Sequence, residues 1–375
     1  MANSTSMTAP STDEPALLVR NARTSAIVRE GVVVLGALLA AGIALWLLLA
    51  LGGHDPQRAL AALWRGSFGS RYALLSATLV RATPLVLAGL GVALAFRAGI
   101  LNIGAEGQLL AGAALAAAVG VSGAATLGVL TLPVLLIGGA IAGAAWAGIA
   151  AVLRRRGVLE VISTLMLNFV AVHLVSYLVR GPLQEPTRIY PQTVSLAGVA
   201  RLPAIVPGAR VHLGLVLAVV LAIALWWVLR ATAAGFRLRV TGANAAAAAS
   251  AGMVDTRRVT TRAFLASGAL AGLAGACELS GVTYALYENL SPGYGYTAIA
   301  VALLARLHPL LVVASGILFG ALEAGASAMQ RDAGVPAELV RVAEALLVLV
   351  VVAADRLRAA GPLVRHATAP VGRAA

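Results

Sequence analysis

Apolar residues run almost unbroken along this chain, and the breaks are short polar stretches that often carry arginine. Runs of about 18 to 25 apolar residues are what an α-helix needs to cross a hydrocarbon core of about 30 Å at 1.5 Å per residue. Lipid offers no partner for backbone polar groups, so helices are the economical way across. The pattern predicts an all-α, polytopic transmembrane bundle of about ten helices, near 31–52, 74–97, 102–120, 125–153, 159–180, 211–230, 260–281, 294–306, 309–329 and 338–355. Segment 102–120 reads either as a full span or as a re-entrant one, and 294–306 is short. Two connections are long. Residues 181–210 hold five prolines and no long apolar run, which predicts an irregular loop. Residues 231–259 contain the run Ala245–Ala249; alanine is the best helix former, so a short helix along the membrane surface is predicted there. Glycines recur four apart at Gly139 and Gly143, Gly268 and Gly272, and Gly316 and Gly320, a spacing that lets helices approach closely in lipid.

Composition agrees. Of 375 residues, 60% are hydrophobic and 11% charged, with a mean hydropathy of +0.91. A soluble domain carries about 25% charged residues. The net charge of +13 could suggest nucleic acid, but all 28 basic residues are arginine and they sit at the ends of apolar runs. That placement suits topology and anionic headgroups. With the N-terminus inside, inner loops and ends hold 18 arginines, outer loops hold 8, and Arg81 and Arg341 fall within spans, accounting for all 28. Both termini are therefore expected in the cytoplasm. Residues 1–29 are rich in Ser and Thr and lack the charged start and short apolar stretch of a signal peptide. They are expected to be a disordered tail, followed by a membrane domain over 30–356 and a second tail over 357–375. The single Cys277 excludes an internal disulfide.

Several chemistries are excluded. A P-loop needs a lysine for the β- and γ-phosphates, and the chain has none. Any ATP that drives it must be bound by another polypeptide. His54, His173, His212, His308 and His366 are scattered without metal-ligand spacing. No Gly-x-Ser-x-Gly elbow occurs. No catalytic, metal-ligating or cofactor-binding residue is assigned.

A carboxylate at mid-bilayer costs roughly 2.5–3.5 kcal/mol, so ionisable residues there are functional candidates. They are Glu106, Glu160, Glu278, Glu323 and Glu344, with Arg81 and Arg341. Glu160 follows Arg154–Arg156 and reads as an interfacial charge at a helix start. Glu344 lies three residues after Arg341 and reads equally as half of an ion pair. Glu278 and Glu323 fall near outer span ends. The segment Asn102-Ile-Gly-Ala-Glu-Gly-Gln108 sets Asn102, Glu106 and Gln108 between two apolar runs. It reads either as a tight capped turn or as a solute-binding segment. Ser163, Thr164 and Asn168 form a further polar cluster, and Asn168 needs a hydrogen-bond partner within its apolar run.

The run Gly89–Gln108, which contains Phe96-Arg97-Ala98-Gly99-Ile100-Leu101-Asn102-Ile103-Gly104-Ala105-Glu106-Gly107-Gln108, resembles the permease subunit of bacterial ABC importers, in the branch that carries nucleosides and simple sugars. Three further stretches agree in order: Glu160–Asn168 with Gly181-Pro182-Leu183; Gly235–Arg239 with Gly242, Asn244, Ala248 and Gly252; and Gly293–Leu304 with Pro309. The match covers about residues 70–355. This chain has Ala305 where the family usually has Gly, Ser250 where it has an aromatic, and Ala245 where it has Pro. The resemblance implies a multi-pass protein of the bacterial cytoplasmic membrane, paired with a second permease, identical or homologous. It implies a separate ABC ATPase that docks on the 231–259 loop through Gly235, Phe236, Arg237, Arg239, Gly242, Asn244, Ala248 and Gly252. A lipoprotein or periplasmic binding protein would deliver a small solute from outside. Nucleoside hydroxyls would suit Asn102, Glu106, Gln108 and Asn168, with Ser163 and Thr164 beside them. A simple-sugar importer is the second reading. An ion-coupled secondary transporter using Glu106 is the third.

Overall fold

In the computed structural model, Gly36 and residues 39–252 and 254–360 are described. Residues 49–341 form one compact unit, and the described residues before 49 and after 341 belong to another. Among the described residues there is no β-strand, only two isolated bridges, Gln192 with Tyr287 and Ala204 with His212. The helices are α1 (Leu39–Leu51), α2 (Pro56–Ser67), α3 (Ala73–Arg97), α4 (Ala105–Leu127), α5 (Thr131–Arg155), α6 (Glu160–Arg180) and α7 (Leu213–Ala231). They continue as α8 (Ala233–Ala243), α9 (Ala245–Ser250), α10 (Thr256–Glu278), α11 (Tyr294–Leu304), α12 (Pro309–Ala333) and α13 (Ala337–Ala360).

Among the described residues, seven helices are long and apolar enough to cross a membrane: α3, α4, α5, α6, α7, α10 and α12. They coincide with seven of the ten predicted spans. Segment 102–120 becomes a continuous helix from Ala105 onward, not a re-entrant hairpin. The predicted span at 294–306 is the 11-residue α11, roughly 16 Å at 1.5 Å per residue and too short to cross. Of the span predicted at 31–52, the described part is α1 with Gly36, and 338–355 lies within α13. The tail predicted at 1–29 lies outside the described residues. The one predicted at 357–375 does so from residue 361, and its first four residues continue α13.

In unit 49–341, α3, α4 and α10 are interior helices, with 83, 72 and 72% of their spanning windows buried, against 22–28% for α5, α6 and α7. Glycine sets their spacing. Gly139 and Gly143 of α5 meet Gly268 and Gly272 of α10: a Cβ on Gly143 would lie 2.6 Å from the Gly272 Cα. Gly316 and Gly320 of α12 pack on α3, where a Cβ on Gly320 would fall 2.7 Å from the Ala82 amide nitrogen. In lipid such backbone approach supplies the packing that a hydrophobic driving force supplies in water.

One end of this unit gathers the ends of α3 and α5, the starts of α6, α10 and α12, and the pair α8–α9. Arg154 pairs with Glu160 at 2.6 Å, and the Leu101 amide donates to the Glu160 carboxylate. Glu160 thus starts α6 paired with an arginine of the run that precedes it. The single short helix predicted in 231–259 is in fact two. Thr232 caps α8 by accepting from the Gly235 amide. Asn244, in extended backbone, ends α8 and caps α9 by accepting from the Ala247 amide. Its side chain competes with the helical ladder, which is why the helix breaks there. Ala245 stands at the first position of α9, where proline would fit as readily.

The opposite end carries loop 181–210, irregular as predicted apart from a 3₁₀ turn at Gly198–Ala200. The π-helical turn Leu279–Thr283 after α10 leaves the Ser280 carbonyl to accept from the Leu202 amide. A clasp joins α6 to the segment before α11: Arg180 donates to both Glu288 carboxylate oxygens, at 2.6 and 3.0 Å, and Ser176 donates as well. These bonds hold the Glu288 carboxyl down at about 2. A depressed carboxyl contributes stability that is present above its unfolded value and lost as pH falls through the folded one. Protease cleavage of loop 181–210 is therefore expected to stay constant from pH 7 to about pH 4.5 and to rise as the pH approaches 2. Glu288→Gln should raise it at neutral pH. Cleavage by an acid-tolerant protease that is unchanged in both arms would refute the clasp.

Candidate functional site: a polar junction at the start of α4

Between α3 and α4 the chain is irregular from Ala98 to Gly104, and Gly99 takes a positive φ of 77° that turns the backbone. Irregular backbone packed among apolar helices must find its hydrogen-bond partners inside the protein. Asn102, Glu106, Gln108, Ser163, Thr164 and Asn168 are all buried around this segment. The structure brings Asn102, Glu106, Gln108, Thr164 and Asn168 together where α4, α6, α10 and α11 meet, and Ser163 is buried beside Thr164 on α6.

Asn102 and Gln108 form a reciprocal amide pair. Asn102 Nδ2 donates to Gln108 Oε1 at 2.9 Å, and Gln108 Nε2 donates to Asn102 Oδ1 at 3.0 Å. Asn102 Nδ2 also donates to Ser267 Oγ on α10, and its Oδ1 accepts from the Gly104 amide. Both donors and both lone pairs of that amide are in use. Asn168 spans the junction from α6. Its Oδ1 accepts from the Gly107 amide at 2.8 Å, and its Nδ2 donates to the Ile103 carbonyl and the Tyr296 hydroxyl. Glu106 reaches α11: the Gly295 amide donates to its Oε2 at 2.7 Å, and the Ser291 side chain hydrogen-bonds it too. Gly295 is so close to α4 that a Cβ there would lie 2.6 Å from the Ala105 carbonyl carbon. Thr164 packs on Gly104, where a Cβ would be 3.0 Å from the Thr164 Cβ. Ser163 and Thr164 otherwise donate back to the Glu160 carbonyl in their own helix.

Ser267, Ser291 and Tyr296 join this junction without having been singled out. Tyr296 lies within the Gly293–Leu304 motif, which was its only signal. It is 42% exposed, so it carries the buried network to the protein surface.

The predicted docking residues divide by face. Gly235 and Ala248 are buried, and Gly235 lies directly on the last turn of α7. Gly242 packs against the end of α3, where a Cβ would come 2.8 Å from the Arg97 carbonyl carbon. Phe236, Arg237 and Asn244 are exposed, and Gly252 follows α9 with a φ of 66°. Arg239 is also exposed but lines a groove with Arg97.

Residues 74–354 match the model of a family described as branched-chain amino acid transport system / permease component. The chain is 40% identical to a glucose ABC transporter permease protein of Haloferax volcanii, over 86% of each chain. It is 38% identical to a guanosine ABC transporter permease protein of Bacillus subtilis, over 85% of this chain and 91% of that one. It is 27% identical to a nucleoside ABC transporter permease protein of Lactococcus lactis, over 79% of this chain and 83% of that one. No solved structure matches. With seven apolar helices of spanning length among its described residues and a family match over most of its length, the chain is a multi-pass membrane protein that belongs to this permease family.

Proposed function

We propose that the chain carries nucleosides inward through a bacterial cell membrane as the permease of an ATP-binding-cassette importer. The observation that carries this reading is the 38% identity to a guanosine permease along 91% of that protein. A glucose-type sugar is the second reading, supported by the 40% identity to a glucose permease. In either case a separate ATPase supplies the energy, because the chain has no lysine for a P-loop. A second permease subunit and an extracytoplasmic binding protein complete the assembly.

The end bearing Arg154–Arg156, α8 and α9 faces the cytoplasm in this reading, in keeping with the positive-inside rule. Phe236 and Arg237 on exposed α8 then meet the ATPase. The solute path runs along the exposed side of Tyr296, with Asn102, Glu106, Gln108, Ser163, Thr164 and Asn168 as the polar seam behind it. Ten crossings, with both termini inside, remain the arrangement we favour for the full chain, the return from α10 to α12 being made by the short α11 together with the segment before it.

Uptake of labelled guanosine and of labelled glucose, measured in cells with and without the gene, separates the substrates. Guanosine uptake should fall at least about tenfold on deletion, and equally when the P-loop lysine of the partner ATPase is replaced. Loss of glucose uptake alone would select the sugar reading. Uptake that survives ATPase inactivation and collapses with an ionophore would overturn the importer.

A further inference from the structure

At the end bearing α8, a groove of about 250 Å³ opens between α3, α7, α8 and the start of α12. Three arginines from three helices converge on it: Arg97 from α3, Arg230 from α7 and Arg239 from α8. Trp226 and His308 complete its polar and aromatic wall.

Among the described residues, the ion pairs are Arg154–Glu160, Arg180–Glu288 and Arg258–Asp255, and none involves a groove arginine. Arg97 is anchored by donating from Nε to the Leu307 carbonyl at 2.7 Å, near enough to Arg239 for their charges to oppose each other. The Arg230 guanidinium lies over the Trp226 ring, 5.7 Å from its centre. Burial and the Arg97 charge hold His308 below the usual imidazole range, and its Nδ1 is buried without a partner. Helix α12 begins at Pro309, so its positive dipole end points at the same place.

A cavity at the opposite end differs in this respect. It is larger, about 430 Å³, and holds Arg65, Arg81, Arg210 and Arg331. Asp332 stands in its wall, and Glu278 and Glu323 both act on Arg81. Arg81 and Arg210 there have Glu278 within electrostatic reach, whereas among the described residues no ion pair reaches a groove arginine.

Guanidinium forks match the oxygens of phosphate. Depth identifies the source. Trp226 and the 58% exposed Trp227 lie in the last turns of α7, the headgroup level at which membrane proteins carry tryptophan. Most of the α7 surface is free, with only 22% of its spanning window buried, so acyl chains have a surface to lie along. Basic pockets between membrane helices are suited to anionic headgroups. We propose that this groove binds the phosphate of an anionic phospholipid, whose headgroup ties α8 to the ends of α3, α7 and α12. This inference stands apart from the transported solute and is tested by binding alone.

The full-length chain in detergent, titrated separately with phosphatidylglycerol, phosphatidylcholine and inorganic phosphate and followed by native mass spectrometry, tests it. Phosphatidylglycerol should bind at least tenfold more tightly than phosphatidylcholine, with one molecule outlasting the rest on collisional activation. Arg230→Gln with Arg239→Gln should weaken it at least tenfold. Arg97 is left intact because it also holds Leu307. Arg156→Gln, at the same end but outside the groove, should leave binding unchanged. The Arg230→Lys, Arg239→Lys pair, which keeps the charge and so guards against misfolding, should lose only part of the affinity. Equal binding of the two lipids, or no difference between the Gln pair and the parent chain, overturns the proposal. Inorganic phosphate that binds while phosphatidylglycerol fails to displace it overturns the lipid as source.

Discussion

Gly272→Val is expected to eliminate the folded permease. Gly272 stands where three helices touch. A Cβ there would overlap the Gly139 carbonyl oxygen of α5 and lie 2.8 Å from the Gly143 Cα. On the α4 side, Gly112 already presses against the Gly272 backbone. Every neighbour in these contacts is backbone, so no side chain can swing away. Overpacking a core costs about 1–3 kcal/mol and sometimes more. Here relief requires two helices to separate, so about 3 kcal/mol or above is expected, roughly a hundredfold in the folding equilibrium at 1.4 kcal/mol per tenfold. Size-exclusion profiles of a fluorescently tagged variant should show loss of the monodisperse peak. Gly138→Ala, on the facing helix α5, is the control, because a Cβ there meets nothing nearer than 3.8 Å. A Gly272→Val variant with parental yield and melting temperature would show that the α5–α10 seam is not what holds the bundle.

That seam also shows what the sequence could reveal. Run length and arginine placement were enough to find seven spanning helices, because the bilayer imposes length and charge bias on each helix separately. The glycine spacings at 139/143 and 268/272 were visible, but not that they meet each other; a spacing names a face, not its partner. The span predicted at 294–306 ran two residues past α11, because Ala305 continues the apolar run up to Arg306, while the backbone turns at Arg306 and Leu307 with φ values of 49° and 59°. The break at Asn244 was hidden in an alanine-rich stretch of high helix propensity, where one capping side chain outweighs the average. Around Asn102 the cluster itself was legible, because polar groups in an apolar run need partners. Its partners Ser267, Ser291 and Tyr296 come from 128 to 185 residues away in sequence, beyond the reach of any local pattern.

Asn102→Leu separates the two roles open to that cluster. A residue that only touches solute can lose its amide without harm to the fold. Asn102, fully buried, spends all four hydrogen-bonding positions inside the protein. Leucine would fill much of the same space but leave the Gln108 amide, the Ser267 hydroxyl and the Gly104 amide without their partner. Each buried orphan costs about 1–3 kcal/mol. These groups share one network and do not add independently, so a loss of about 3 kcal/mol or more is expected, visible as a lowered melting temperature and yield. Asn102→Leu with Gln108→Leu should recover part of that loss, since removing both members of a pair leaves fewer orphans than removing one. Recovery in the double variant would be the signature of a positioning role, because a solute contact gives no reason for a second truncation to help. If Asn102→Leu instead folds and melts like the parent while uptake disappears, the amide faces solute during the transport cycle and the saturated arrangement is only one of its states. Glu106→Gln completes the comparison. An amide oxygen can still accept from Gly295, so that variant should fold, and its uptake then reports what the carboxylate charge contributes to transport rather than to packing.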